Sequence, residues 1–271
     1  MRRPSKFTIT GTALLYLDCH VHIYPNFDLA TLLDAAVANF SRWGADPSPS
    51  NGIQGALFLT LTAKDQSYEQ ILDCALKGLG PWEMPSPNSD GRLGLHNGNS
   101  HLSLIPGQQL ATTEGLEVHA LGTQQHFEDG LSITKTIETI NTHGTLAVIP
   151  WGAGKWLGSR GKLLAQLIRT PGLDFMLSDS GLRPRLWPRS RLFDLAQQYG
   201  RGVIAGTDPL PLANEVGRVG SFGITLDTHD AILTSTNELL THLRNNLKSQ
   251  SPMGQGRALA PFLYDQIRIR C

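Results

Sequence analysis

Two histidines near the start of the chain are spaced for metal chelation. His20 and His22 follow an apolar run at residues 13–17, and Asp18 stands two positions before His20. Side chains on a β-strand alternate between its two faces, so a strand here would point all three the same way. Two imidazoles two residues apart at a strand end form a chelate for a divalent ion. The pattern predicts a metal site there, although a bare His-x-His also arises by chance.

A second strand end supplies a carboxylate late in the chain. The apolar residues 203–205 lead into Gly206-Thr207-Asp208-Pro209. A carboxylate in this position can complete a metal site or accept a proton from an activated water. Asp208 alternatively starts a turn, which an Asp-Pro pair favours. Together with His20 and His22, a functional role for Asp208 as ligand or catalytic base is the favoured interpretation.

A glycine-rich segment at residues 150–162 is the third candidate, because it follows a strand and opens a helix. Gly152 and Gly154 allow backbone N–H groups to approach an anion, while Lys155 and Arg160 add positive charge. The spacing matches neither the P-loop nor the dinucleotide fingerprint. The segment predicts an anion site with Lys155 in a catalytic position, or alternatively a flexible turn with solvated bases.

Two further segments carry ambiguous signals. Asp179 and Arg183 follow an apolar run at residues 175–177, where they serve either as acid/base and substrate clamp or as a pair bracing their own loop. His119 lies on a predicted strand at residues 116–121 and shares a face with Glu117. A lone histidine on a strand is more often a hydrogen-bonded core residue than a ligand.

The elements that must position these residues alternate between strand-like and helix-like runs, the pattern of a parallel α/β fold. Residues 78–100 are rich in Gly, Pro, Asn and Ser and predict a long loop. The economical interpretation is one barrel-like domain over residues 1–271, with the chelate at the mouth where barrel active sites form. Strands are expected at residues 13–18, 53–61, 102–105, 116–121, 146–150, 175–177 and 203–205, and helices at residues 29–40, 67–76, 132–142, 163–168, 191–199 and 231–247.

Composition excludes several classes of protein. The 271 residues carry 23 basic and 23 acidic side chains, and this zero net charge argues against a general nucleic-acid or acidic-membrane binder. A content of 40% apolar and 17% charged residues indicates a globular chain. The cysteines Cys19, Cys74 and Cys271 are too few and scattered for a disulfide framework, which suits a reducing cytoplasm. No run reaches the ~18–20 apolar residues of a membrane span.

These motifs resemble the polymerase-and-histidinol-phosphatase (PHP) family of metal-dependent phosphoesterases. Residues 17–22 are similar to the family's opening His-x-His strand, and residues 206–208 to its late Gly-Ser-Asp motif. The more specific match is IPGQQLATTEGLEVHALG at residues 105–122, which resembles the central Gly-x-Glu, hairpin and Val-His-x-Leu-Gly segment. The likeness extends over residues 14–210 at low density.

The resemblance implies an α/β fold of one distorted (β/α)7-type TIM-like barrel, phosphoester hydrolysis and a multi-metal cluster. The implied metal ligands are His20, His22, His119 and Asp208, with Asp28 near the position of an acidic ligand.

Several family positions are replaced. Gln109 stands where the family has a bridging Glu, residues 62–64 replace an Asp-His pair, Trp151 replaces a His, and Leu210 replaces the last His. One or two divalent ions (Zn, Mn or Fe) are therefore expected rather than three, with Lys155 or Lys64 in the space of a missing cation.

The sequence favours a cytoplasmic metal-dependent phosphoesterase that acts on a small anionic substrate, with neither nucleic acid nor membrane favoured as partner. A catalytically degenerate PHP-like barrel that binds a ligand or protein is the first alternative. An amidohydrolase-type enzyme acting on a C–N or lactone bond is the second. The substrate, the metal and the oligomeric state stay open.

Overall fold

The computed structural model describes residues 14–43, 52–84, 90–227, 235–246 and 252–268 as an α/β fold. The strands are β1 Leu14–Val21, β2 Gln54–Leu59, β3 Leu93–Asn97, β4 Ser100–Ile105, β5 Gly107–Ala111, β6 Glu117–Leu121, β7 Leu146–Pro150, β8 Met176–Ser180, β9 Val203–Gly206, β10 Phe222–Asp227 and β11 Met253–Gly254. The helices are α1 Leu29–Phe40, α2 Tyr68–Lys77, α3 Ile133–Thr142, α4 Gly158–Arg169, α5 Arg191–Gln198, α6 Thr236–Asn246 and α7 Leu259–Arg268, with a short 3-10 helix at Ala213–Arg218.

The strands form two mixed sheets, so the expected single TIM-like barrel is wrong. One sheet has the order β11-β10-β1-β2-β4-β3 and the other β5-β6-β7-β8-β9, and within the described residues they do not close into one barrel. Antiparallel pairing of β3 with β4 and of β5, β6 and β7 breaks the parallel βαβ alternation. In addition, β10 pairs antiparallel with residues 14–17 of β1. This part of the edge of β1 is therefore not paired with β9, as it would be in a closed barrel.

The two sheets nevertheless approach each other closely where β9 meets the end of β1. A Cβ on Gly206 would lie 2.2 Å from the backbone nitrogen of His20, so only glycine permits this approach. The Asp208 N–H then donates to the carbonyl of His20 at 2.9 Å. This contact brings the end of the first strand and the residues after β9 to one place.

The apolar core consists of three clusters that fix the strand ends. One lies between the sheets and includes Leu17, Val148 and Ile204. The second packs α1 and α2 against the first sheet, and the third packs α3, α4 and α5 against the second. Helices α1, α2, α3 and α5 begin at side-chain caps, and in α2 Ser67 and Gln70 form a reciprocal capping box.

Some expectations fall partly on undescribed positions. Residues 231–234 and 247 of the last predicted helix, Ala13 of the first strand, and Cys271 lie outside the described residues, while Cys19 and Cys74 are free thiols. In the described part of the chain, no helix has the length and apolar character needed to cross a membrane. The assignment of residues 1–271 to one domain stays a prediction.

Candidate metal centre

Three side chains from opposite ends of the chain converge at the junction of the sheets. The Nε2 atoms of His20 and His22 are 3.2 Å apart, and Asp208 Oδ1 lies 3.4 Å from His20 Nε2. One potential ligand atom from each of the three residues lies within 4.8 Å of the others. Ligands ~2.1 Å from a common tetrahedral ion stand roughly 3.4 Å apart, so this spacing fits a divalent cation.

The His22 ring is held by a carboxylate behind it. Its Nδ1 lies 3.1 Å from Oδ2 of Asp65, whose side chain is fully buried. Asp65 also accepts from the backbone N–H and the hydroxyl of Thr62, at 2.8 and 2.7 Å. A carboxylate on one ring nitrogen fixes the proton there and leaves the other nitrogen free as a ligand. His22 therefore has the carboxylate contact on its second ring nitrogen that is usual for a histidine that binds a metal ion.

The pKa values of His20 and His22 shift in opposite directions. Burial lowers the pKa of His20 to about 4, although the charge of Asp208 opposes the change. Burial alone also lowers the pKa of His22, but the hydrogen bond and charge of Asp65 outweigh it, so its pKa is raised. For Asp65, burial raises the pKa, but His22 and Thr62 together hold it below its ordinary value. His20 is thus neutral near pH 7, the form that binds a metal.

The Asp208 carboxylate is oriented by its backbone and by Ser180. Asp208 has a φ of 54°, unusual for a residue other than glycine, and its N–H is bonded to the carbonyl of His20. The hydroxyl of Ser180, at the end of β8, donates to Oδ2 of Asp208 at 2.9 Å. Strained backbone of this kind persists only where surrounding contacts enforce it. Oδ2 is thereby occupied, and Oδ1 faces the histidines.

Asp18 braces the junction rather than joining the three-residue group. The described contacts of its buried carboxylate are with backbone and hydroxyl donors: the N–H groups of Thr207, Gly220 and His20, and the Thr207 hydroxyl. Burial raises the pKa of Asp18 to about 6 against these hydrogen bonds. Asp18 therefore ties β1 to the segment that carries Asp208.

His119 lies beside the group but is engaged by a neighbouring strand. Its ring is 4.3 Å from that of His20, and its Nε2 lies 3.0 Å from Oε1 of Gln109, its register partner on β5. Burial holds its pKa well below the usual value, and the neighbouring His20, His22 and Lys155 side chains lower that pKa further. Because an amide oxygen only accepts, His119 donates from Nε2. Its role as a metal ligand stays a prediction.

An open cavity of about 1050 Å³ surrounds the centre. Lys155 and Gly152 line it, and the Lys155 ammonium forms an ion pair with Glu117 on β6. Arg160 instead donates to the carbonyls of Gly154 and Gly115. The glycine-rich segment therefore brings Lys155 to the site, while its Arg160 holds the loop.

The structure does not bring the other predicted residues into the cavity. Asp179 and Arg183 pair with each other through two hydrogen bonds of 2.9 and 2.8 Å, the bracing arrangement considered from the sequence. Asp28 caps α1 by accepting from the N–H and hydroxyl of Thr31.

Sequence reasoning missed Asp65 and Ser180, which orient two of the converging side chains. The signal for Asp65 was its place just after a predicted strand, in a Thr-x-x-Asp turn in which the side chain bonds back to Thr62. Such a turn fixes a carboxylate at a strand end. Ser180 carries no comparable signal, because its partner Asp208 lies 28 residues away.

Comparison with known proteins gives a likeness of fold only. No protein-family model and no curated sequence matches the chain. The crystal structure of PsfC from Pseudomonas syringae PB-5123 superposes with a TM-score of 0.57 at 11% identity, over 96% of this chain and 98% of that one. The lesion-specific endonuclease PfuEndoQ from Pyrococcus furiosus gives 0.51 at 8% identity, over 84% of this chain and 56% of its own.

A third structure, Endonuclease Q in complex with a 27-mer duplex bearing an abasic lesion at the active site, gives 0.50 at 8% identity. It is matched over 84% of this chain and 57% of its own length, so the chain spans slightly more than half of the endonucleases. Since endonuclease Q is a PHP-family nuclease, these neighbours are compatible with a PHP-like fold.

The expectation that nucleic acid is not a favoured partner is wrong. It rested on zero net charge, yet a protein of similar fold is seen with a DNA duplex. Net charge sums over all faces of a protein, whereas nucleic-acid affinity depends on the charge of the face that meets the phosphates.

Proposed function

We propose that this chain is a divalent-metal-dependent hydrolase of phosphoesters in which His20, His22 and Asp208 hold the ion. The observation that carries the proposal is the convergence of these three donors, with Asp65 fixing the His22 ring from behind. Two imidazoles and a carboxylate are a common catalytic donor set, which leaves a coordination position open. One ion per site is proposed, because Gln109 offers His119 a neutral amide in place of a bridging carboxylate.

The residues around the donors have separable tasks in this proposal. A bound divalent cation supplies positive charge that polarises a phosphoryl oxygen and acidifies water. Asp208 presents Oδ1 to the ion or to a proton, while Ser180 holds Oδ2. Lys155, held by Glu117, directs its ammonium toward the cavity that a phosphoryl group would enter. Preorganised positive charge at such a place stabilises the charge that develops during the reaction.

Nucleic-acid phosphodiesters are the substrate class that we propose for this site. The support comes from the endonuclease neighbours and from the cavity, whose ~1050 Å³ is at the upper end of small-ligand pockets and open to solvent. Such a cavity suits an extended phosphodiester better than a small enclosed ester.

The test uses metal-stripped protein with bis(p-nitrophenyl) phosphate and an oligonucleotide as substrates. Addition of Mn²⁺ or Zn²⁺ is expected to restore hydrolysis, and His22→Ala to reduce it by at least 100-fold. His101→Ala is the matched control, because His101 lies on β4 away from the cavity. Equal activity with and without metal would contradict the proposal, as would stoichiometric metal binding with no turnover of either substrate.

A further inference from the structure

The loop between β8 and α5 concentrates positive charge that the zero net charge of the chain conceals. Residues 183–191 read Arg-Pro-Arg-Leu-Trp-Pro-Arg-Ser-Arg, with four arginines and no acidic residue between Asp179 and Asp194. Arg183 is paired with Asp179, and Arg189 with Asp194. In the described part of the chain, Arg185 and Arg191 form no ion pair with a carboxylate. The loop therefore presents two uncompensated guanidinium groups.

An exposed aromatic ring lies among these arginines. Trp187 is 46% exposed, and the neighbouring Leu186 is 86% exposed. The Trp187 ring contacts Trp151 and Phe262 at centroid distances of 6.3 and 5.7 Å. Both of those rings line the same cavity as His20 and His22. The loop surface is thus continuous with the metal centre.

Several hydrogen bonds fix the backbone of the loop, and the indole ring is held by its contacts with Trp151 and Phe262. Arg183 donates to the carbonyl of Trp187 at 3.0 Å, and the Trp187 N–H closes a turn on Pro184 at 2.9 Å. Arg185 donates from its backbone to Arg257 and from its side chain to Gly256, at 2.9 and 2.8 Å. A ring that is already immobile loses little conformational entropy when a ligand stacks on it.

We propose that residues 183–191, together with Trp151, bind single-stranded nucleic acid and lead it into the metal centre. Arginines beside an exposed aromatic ring match a strand that offers phosphates and unpaired bases at short intervals. In a duplex the faces of the bases are stacked on one another and cannot stack on the indole. The carboxylates of an acidic peptide would pair with the arginines but would not stack on the indole. Only the statement that the bound strand leads into the metal centre rests on the proposed function. Binding of the strand to the loop needs no metal.

The test measures binding of a fluorescein-labelled oligothymidylate of about 20 nucleotides to the full chain in EDTA, by anisotropy. Trp187→Ala is expected to weaken binding roughly fivefold or more, and Trp187→Phe to retain most of it, because one stacked base is lost or kept. The double variant Arg185→Gln/Arg191→Gln is expected to reduce the slope of log Kd against log salt by about 1.4, since each phosphate contact contributes about 0.7.

Lys135→Gln/Arg169→Gln is the matched charge control, because these exposed cations lie on α3 and α4. Equal losses in the two double variants would overturn the proposal, as would unchanged binding in Trp187→Ala. Displacement of the oligonucleotide by polyglutamate at equal charge would also overturn it. Self-association lost in Trp187→Ala, without oligonucleotide binding, would assign the loop to contact with a second copy instead. Because EDTA removes the ion, failure of the hydrolase proposal leaves this measurement unaffected.

Discussion

Asp208 and His20 are joined twice, by backbone and by side chain. The Asp208 N–H donates to the His20 carbonyl at 2.9 Å, and Asp208 Oδ1 lies 3.4 Å from His20 Nε2. The first contact holds the residue after β9 against the end of β1, and the second is the geometry of two ligands to one ion. The site therefore exists because two sheets meet at this point.

Replacement of the buried brace at Asp18 is expected to affect both folding and metal binding. The Asp18 carboxylate accepts four hydrogen bonds, and Asp18→Asn removes its charge. The free energy of unfolding is therefore expected to fall by roughly 2–3 kcal/mol. Metal affinity falls as well, because the Asp208 segment is less firmly held. Chemical denaturation and metal titration measure the two effects. Asp34→Asn, at an exposed carboxylate bonded to Trp82, is the control and should change neither by much.

Asp65→Asn tests the support of His22. The loss of the carboxylate behind Nδ1 is expected to weaken metal affinity about 10- to 100-fold while the ligands themselves remain. Competition with a chelator of known affinity measures the change. The control is Asp73→Asn, which alters an exposed carboxylate paired with Lys77. Metal affinity unchanged in Asp65→Asn would show that His22 needs no such support or is not a ligand.

Lys155→Met tests catalysis separately from metal binding. The variant keeps the apolar stem but removes the charge held by Glu117, and kcat is expected to fall about 10²- to 10³-fold with metal content unchanged. Lys162→Met, on the same segment but exposed, is the matched control. Loss of metal together with activity would instead assign Lys155 to the integrity of the site.

Glu215 is expected to give the fold a distinct pH dependence. Burial alone raises its pKa, but its bonds to Arg257 and the charge of Arg218 hold the pKa below its ordinary value. A carboxyl group whose pKa is depressed in the folded protein stabilises the fold at pH values above its pKa in the unfolded chain, about 4.3 for Glu. This stabilisation is lost as the pH falls through the pKa of the folded state. Glu215→Gln should therefore destabilise the fold by about 3 kcal/mol at pH 7, because it removes the charge from one side of the buried Glu215–Arg257 ion pair.

The difference between wild type and Glu215→Gln should shrink as the pH falls below about 4. Denaturation midpoints across the pH range measure it, with Glu138→Gln on the exposed side of α3 as control. A difference that grows on acidification would contradict the assigned direction of the shift.

Local elements of the fold could be predicted from sequence, whereas their pairing could not. The predicted bounds of α1 and β7 coincide with the observed Leu29–Phe40 and Leu146–Pro150, since both have strong local patterns. Strand β10 was missed, although Phe222, Ile224 and Leu226 alternate with less apolar residues and are buried. Its antiparallel partner β1 lies about 200 residues earlier, and no local pattern in the sequence encodes so distant a pairing.

The candidate site shows the same division. His20, His22 and Asp208 could be proposed as partners because each stands at the end of an apolar run. The supporting contact from Asp65 to His22 spans 43 residues and is not encoded in any local spacing. The zero net charge gave a wrong expectation about nucleic acid for a similar reason. A sum over 271 residues does not show that four arginines lie together at residues 183–191.

Anomalous X-ray scattering from crystals soaked in Mn²⁺ or Zn²⁺ shows directly whether His20, His22 and Asp208 hold an ion. One anomalous peak is expected, at roughly 2.0–2.2 Å from Nε2 of His20, Nε2 of His22 and Oδ1 of Asp208. The same soak of an Asp208→Ala crystal should give a weakened peak or none. A peak at other residues, or no peak at saturating metal in the wild-type protein, would show that these three residues do not form a metal site.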